Sequence, residues 1–364
     1  MKIGIVGFPN VGKSTLFNAI TRAQAECANY PFCTIEPNVG IVPVPDDRLK
    51  KIAEIVKPEK IIPTTIEFVD IAGLVKGASG GEGLGNKFLS HIRQVDAIAH
   101  VVRCFNNPNV VHVDGSVDPI RDIEIINLEL IFADLEALEK RTERVQRQAK
   151  SRDRQVLFEL NILKRIKGTL EQNIPVRAME FTPEEQKIVK NMFLLTAKPV
   201  IYVANISEDD LMSEDKSEYI ENVEEYAANE GIDVVAICAQ IEAELLEFDE
   251  KERMEMLAGY GLEEPGLHRL IRAGYKLLGL ITFFTLESNQ VQAWTVSNGT
   301  KAPKAAGKIH TDFQRGFIRA EVMAYDTLSA YGSQQTVREK GLLHSEGREY
   351  VVRDGDVILF RFNV

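Results

Sequence analysis

Residues 7–14 read Gly-Phe-Pro-Asn-Val-Gly-Lys-Ser. They fit G-x-x-x-x-G-K-[ST], a pattern that dictates the path of the backbone and what must flank it. On its N-terminal side, Lys2 to Val6 is a short apolar, β-branched run suited to a buried parallel strand. On its C-terminal side, Leu16, Phe17 and Ile20 fall at helical spacing. Strand, glycine turn and helix therefore come in the order of a phosphate-binding loop. Glycines let the chain wrap an anion, and successive N–H groups point inward at the helix N-terminus. In that geometry Lys13 reaches the β- and γ-phosphates and the Ser14 hydroxyl ligates Mg²⁺.

A second element of phosphate chemistry follows about 55 residues later. Asp70-Ile71-Ala72-Gly73 sits at the end of a strand-like run, where the Asp70 carboxylate is placed to hold Mg²⁺ directly or through water. Gly73 can bring a backbone N–H to the γ-phosphate. The stretch 77–85 carries five glycines, as a switch loop would. Thr34, in Tyr-Pro-Phe-Cys-Thr, can offer a further hydroxyl to Mg²⁺, and Thr64 and Thr65 compete for that role. Leu74 follows Gly73 where a water-orienting glutamine stands in Ras-type enzymes. Intrinsic turnover is therefore expected to be slow unless another group positions water. His112, in a polar loop, is one candidate, with simple solvation as its plain alternative. The Asn10 amide can help bind a monovalent cation such as K⁺ near the phosphates.

The base end is read from Asn205-Ile206-Ser207-Glu208, directly after an apolar strand. GTP-binding proteins of this type carry Asn-Lys-x-Asp there, and the Asp carboxylate accepts from guanine N1–H and the exocyclic amine. Glu208 is one methylene longer and Ile206 replaces the lysine. Adenine has no such donors and loses nothing, so ATP should gain relative to GTP. The alternative is that Glu208 repositions and guanine still binds.

The 364-residue length implies two or three domains, and the 45% apolar fraction suits globular cores. No run of 18 apolar residues exists, and no signal-peptide core precedes the glycine loop, so no membrane association is expected. Cys27, Cys33, Cys104 and Cys238 show no metal-binding spacing and read as reduced thiols of a cytoplasmic protein. Strand and helix textures alternate over residues 1–120, with strand candidates at 65–71 and 97–103, and return at 199–204 and 234–238. This is the pattern of a doubly wound, mostly parallel α/β sheet. Between them, Leu128, Ile131, Leu135, Leu138, Thr142 and Val145 form a heptad seam, and Val156, Leu160, Leu163, Ile166 and Leu170 a second stripe. An antiparallel helical hairpin is expected. Thr182-Pro183-Glu184-Glu185 is a helix start with a capping box. From about 280, short alternating strands with one or two helices suggest a small α+β domain.

The net charge of −11 is unevenly spread. Residues 205–264 hold 20 acidic against 3 basic side chains, 140–167 hold 10 basic against 3 acidic, and 295–320 hold 5 basic against 1 acidic. The last two stretches are candidate RNA-contacting surfaces, and the bland reading is that they solubilise their elements.

Together G-F-P-N-V-G-K-S-T, N-Y-P-F-C-T, D-I-A-G-L and N-x-S-E resemble the Obg-related P-loop proteins, and more closely the Obg-like ATPase, or YchF, subfamily. The resemblance spans essentially the whole chain. It implies a P-loop domain over 1–125 and 196–278, a helical coiled-coil insert over 126–195 and a β-grasp TGS domain over 279–364. It further implies Mg²⁺-dependent hydrolysis of ATP in preference to GTP and association with the ribosome, through its large subunit, by a monomer. It carries nucleotide contacts onto Asn10, Val11, Gly12, Lys13, Ser14, Thr15, Asn205 and Ile206, and Mg²⁺ contacts onto Ser14 and Thr34. One departure is Cys238-Ala239 where the family has Ser-Ala. The rival readings are a GTPase translation factor and a nucleotide-sensing adaptor with incidental hydrolysis. A small-molecule kinase is disfavoured for want of a second pocket signature.

Overall fold

The computed structural model describes residues 1–26, 38–72, 84–110, 115–148, 153–213, 215–287 and 289–363. In chain order its strands are β1 (Lys2–Val6), β2 (Val39–Pro43), β3 (Lys60–Ile62), β4 (Thr65–Asp70), β5 (Ala97–Arg103), β6 (Val200–Asn205) and β7 (Val234–Ile237). These are followed by β8 (Leu280–Leu286), β9 (Gln290–Ser297), β10 (Phe317–Ala324), β11 (His344–Glu346) and β12 (Asp356–Phe362).

The chain folds into two units, each with its own sheet. The first is built mainly from Met1–Ala23 and Glu67–Leu270. Its sheet runs β2-β4-β1-β5-β6-β7, and the strands from β4 to β7 in that order are mutually parallel. β5 and β6 are buried along their whole length, which is why they read as unbroken apolar runs rather than as alternation. The helix Lys13–Glu26 follows β1 across the glycine loop and buries Leu16, Phe17, Ala19 and Ile20.

The helical hairpin is present. The helix Pro119–Gln148 has 30 residues, about 45 Å of helix. It runs unbroken across residue 126, where the sequence texture changes. Its first half buries Ile123, Ile126 and Leu130, and its second half buries Ile131, Leu138 and Val145 against Ile162, Leu163 and Ile166 of the helix Arg154–Leu170. Arg141 Nε donates to Glu159 Oε1 at 2.8 Å and Lys167 Nζ to Glu139 Oε1 at 3.0 Å, as an antiparallel pair requires. The expected capping box is formed: Thr182 N–H donates to Glu185 Oε2 at 2.8 Å, and Glu185 N–H to the Thr182 hydroxyl at 3.3 Å.

The second unit is built mainly from Ile41–Ile66 and Ile271–Val364. Its sheet is ordered β11-β10-β12-β8-β9-β3. β8 and β12 pair in parallel at its centre, and the antiparallel hairpin β8–β9 flanks them, a β-grasp arrangement. One face is packed by Ala302, Ala305 and Ala306 of the helix Ala302–Ile309 against Phe283, Val296 and Phe360. The other receives Leu49 and Ile52 of the helix Asp47–Val56 against Phe284, Val291 and Val357. Among the described residues four helices, rather than one or two, punctuate this region: Ala302–Ile309, Thr311–Arg315, Tyr325–Tyr331 and Gln334–Glu339. Three of them have only five to seven residues, too short to show helical periodicity in a sequence.

Among the described residues no helix is long and apolar enough to cross a membrane.

Candidate nucleotide-binding site

The glycine loop has the backbone that its sequence implies. Gly12 adopts φ +91° and Asn10 φ +63°, both left-handed. Gly12 is required twice over, because a Cβ there would run into Asn205 Nδ2. At Gly7 a Cβ would meet the Val101 carbonyl oxygen at 2.7 Å, so the loop enters against β5 with no room for a side chain. Leu16 N–H donates to the Gly12 carbonyl at 3.0 Å, which starts the helix as the loop ends.

Lys13 Nζ donates to Asp70 Oδ1, so the loop lysine and the carboxylate ending β4 face one another. Ser14 and Thr15 lie on the first turn of the helix, both exposed. Val11 is buried, and its carbonyl accepts from Asn205 Nδ2 at 2.8 Å. The other end of the same amide accepts from Ala239 N–H at 3.0 Å. Asn205 thereby ties the glycine loop to the turn after β7, and both of its bonds are buried. That turn forms through its backbone, with Cys238 as the N-cap of the helix Ala239–Leu245 making no side-chain cap bond. Burial pushes the Cys238 thiol up, which keeps it protonated.

A cleft of about 440 Å³ opens beside this junction. It is lined by Asn10, Gly12 and Thr15 of the glycine loop and its helix, and by Asn205, Ile206, Glu208, Cys238 and Ala239. Ile206 is buried, its N–H donating to the Ile237 carbonyl at 2.9 Å. Glu208 is exposed at the start of the short helix Glu208–Met212, which Ser207 caps.

The structure thus brings together Asn10, Val11, Gly12, Lys13, Ser14, Thr15, Asp70, Asn205, Ile206 and Glu208. Thr34, Gly73 and His112 lie outside the described residues, as do Leu74, Cys27 and Cys33. Of the threonines that compete with Thr34, Thr64 is buried with its hydroxyl against that of Thr295, so it is committed elsewhere. The oxygen donors of Ser14 and Asp70 are the hard ligands that Mg²⁺ takes, so the residues present fit that ion.

Two residues of this region carry no motif. Arg103, the last residue of β5, is buried at 1% exposure. Its Nε, Nη1 and Nη2 donate to the carbonyls of Phe105, Val110 and Asn107 at 3.1, 3.1 and 3.3 Å. The guanidinium also lies 4.7 Å over the Phe105 ring. Burial lowers its pKa, and the nearby Asp122 carboxylate works in the opposite sense. Phe105, Asn107 and Val110 line the cleft, so a buried cation shapes one wall of it. Tyr260 is the second, with its hydroxyl on Glu208. A charged residue ending an apolar strand is the only trace of the first in the sequence, and the second leaves none.

A family model described as a 50S ribosome-binding GTPase matches residues 2–206. Another, for the C-terminal domain of YchF GTPases and described as a protein of unknown function, matches residues 280–363. The chain is 58% identical over 361 residues to the ribosome-binding ATPase YchF of Bacillus subtilis, covering 99% of each. It belongs to the YchF family. A second YchF, the ribosome-binding ATPase of Escherichia coli O157:H7, is 53% identical and covers 100% of this chain and 99% of its own. The solved YchF GTPase of Schizosaccharomyces pombe superposes with a TM-score of 0.90 at 39% identity, over 99% of this chain and 97% of that one. The YchF fold therefore accounts for the whole architecture, a P-loop sheet with a helical insert and a C-terminal domain of mixed sheet.

Proposed function

We propose that this protein is a Mg²⁺-dependent nucleoside triphosphatase that prefers ATP to GTP and works as a slow, ribosome-stimulated switch in the cytoplasm. The observation that carries the reading is Asn205. By holding the Val11 carbonyl and the Ala239 N–H together, it makes the phosphate loop and the base cleft one built site. In that site Lys13 supports negative charge on the transferring phosphoryl group. Ser14 and Asp70 would hold Mg²⁺, which neutralises phosphate charge when bound. Thr34 as a third Mg²⁺ ligand, Gly73 as a γ-phosphate donor, His112 as water-positioner and Asn10 as a K⁺ ligand belong to the same reading. Support for ATP comes from Ile206 and Glu208 in place of lysine and aspartate, and from the relatives named ATPases.

The GTPase reading has its own support in the words given to the matching family model and to the Schizosaccharomyces pombe relative. Steady-state turnover with each nucleotide decides between them, and an equal or higher kcat/KM for GTP would overturn the ATP assignment.

The ribosome-binding relatives support a ribosomal partner here too, and the words 50S ribosome-binding given to the matching family model support the large subunit as its seat. A monomer as the binding form belongs to the same reading. The basic ends of the helical hairpin and of the C-terminal unit are the proposed RNA contacts. Their field is smaller than the residue count suggests. Lys140 pairs with Glu136 at 2.5 Å, Arg147 with Glu143 at 3.7 Å and Arg315 with Asp312 at 2.8 Å. Co-sedimentation with ribosomes across a salt series, comparing wild type with Arg144→Glu/Arg147→Glu, should show weaker binding and a shallower salt slope in the variant. Identical curves would remove the hairpin from the interface.

A further inference from the structure

Glu208 stands where an Asn-Lys-x-Asp protein places the carboxylate that reads guanine, yet here that carboxylate already has a partner. Tyr260 Oη donates to Glu208 Oε1 at 2.8 Å, across 52 residues of chain. Tyr260 is the C-cap of the helix Glu250–Gly259, and its backbone N–H is held by the carbonyls of Met256 and Leu257 at 3.2 and 3.0 Å. The hydroxyl is therefore presented from an ordered helix end. Glu208 lies on the wall of the base cleft beside Ile206, Cys238 and Ala239. We propose that Tyr260 is a specificity-determining residue of the YchF site, a clamp that holds Glu208 away from the base edge and so favours adenine over guanine.

The argument is one of donors and acceptors. Guanine offers N1–H and an exocyclic amine, both of which a free carboxylate would accept. Adenine offers a lone pair at N1, which a carboxylate repels. Glutamate is long and flexible enough to swing toward guanine unless something holds it. A phenol hydrogen bond to a carboxylate is charge-assisted and stronger than a neutral one. The bond persists across the physiological range, because the Glu208 carboxylate, with burial, pushes the Tyr260 hydroxyl up to about 12. With Oε1 occupied and the side chain tethered, Glu208 loses most of its value to guanine. The site is then selective by what it withholds.

The inference rests on the ATP-preferring reading, and the test separates the two. Tyr260→Phe keeps the ring and removes only the hydroxyl. Affinities for ADP and GDP, which carry the same bases without being turned over, are measured by equilibrium titration for wild type, Tyr260→Phe, Glu208→Ala and the double variant. The expected result is a shift of the ratio toward GDP in Tyr260→Phe of about two- to tenfold, the net worth of one hydrogen bond. The same substitution in the Glu208→Ala background should leave the ratio unmoved. An unchanged ratio in Tyr260→Phe overturns the clamp, as does an equal shift in both backgrounds, which would mark Tyr260 as merely structural. Equal wild-type affinity for the two bases would overturn the ATP reading, and the clamp falls with it only if Tyr260→Phe also leaves the ratio where it was.

Discussion

His100 sits in the middle of β5, buried at 2% exposure and opposite Tyr202 of β6, with the two rings edge to face at 5.7 Å. Burial, with the nearby positive charge of Arg177, pushes its pKa down to about 3. The unfolded chain binds a proton at this histidine near pH 6.5, whereas the folded protein refuses it until about pH 3. Stability contributed by the neutral imidazole is therefore complete above 6.5 and is lost as pH falls, at about 1.4 kcal/mol per unit. Denaturant unfolding at pH 7, 6 and 5 should show a shallower loss in His100→Gln than in wild type, and parallel slopes would contradict the assignment. At this scale the sequence was legible wherever chemistry demands a particular residue type. Gly12, Lys13, Ser14, Asp70 and Asn205 could be singled out directly, because each belongs to a pattern set by what a phosphate, a metal or a base would need, and the fold brings them together. Tyr260 could not, since a tyrosine at a helix end has many uses and its meeting with Glu208 is a product of folding.

At the scale of elements, the loop after β5 depends on one side chain. Arg103 gathers the carbonyls of Phe105, Asn107 and Val110, which the loop has no regular structure to satisfy. Arg103→Met keeps the apolar stem but leaves those acceptors without their donor. We expect a loss of about 2–4 kcal/mol in unfolding free energy and weaker nucleotide binding, because Phe105, Asn107 and Val110 line the cleft. Unfolding curves and nucleotide titration check both parts, and unaltered nucleotide affinity would mean that the loop holds its shape without Arg103. The hairpin was visible beforehand because its apolar spacing is regular over many residues, and most strands because they are unbroken or alternating apolar runs; β2, β3 and β11, of three to five residues, were not. The short helices of the C-terminal unit were not, since five to seven residues hold too few turns to reveal a period.

At the scale of the whole molecule, the second unit is not one continuous piece of chain. Residues 41–66 supply β3, which pairs in parallel with β9, and the helix Asp47–Val56, which packs Leu49 and Ile52 on the sheet. Arg48 fastens the two segments, bonding Asp46 through Nη2 at 2.8 Å and Asp354 through Nη1 at 2.7 Å. Burial works against its charge, and the two carboxylates outweigh it and raise its pKa. A chain ending at residue 278 should therefore expose the apolar face of that helix and the edge of β3. We expect it to bind an apolar dye and to precipitate at concentrations where the full chain stays clear. Equal solubility would show that residues 41–66 pack without the C-terminal segment. The sequence by itself determined the phosphate loop, the parallel sheet around it, the helical hairpin and the presence of a separate C-terminal fold, because these follow from local patterns of glycine, charge and apolar spacing. Only the tertiary structure decided that residues 41–66 join that fold, that Arg103 braces the cleft and that Tyr260 meets Glu208. Such contacts join residues from tens to hundreds of positions apart or hang on the turn of one buried side chain, and their energy is set by burial and geometry that no local pattern encodes.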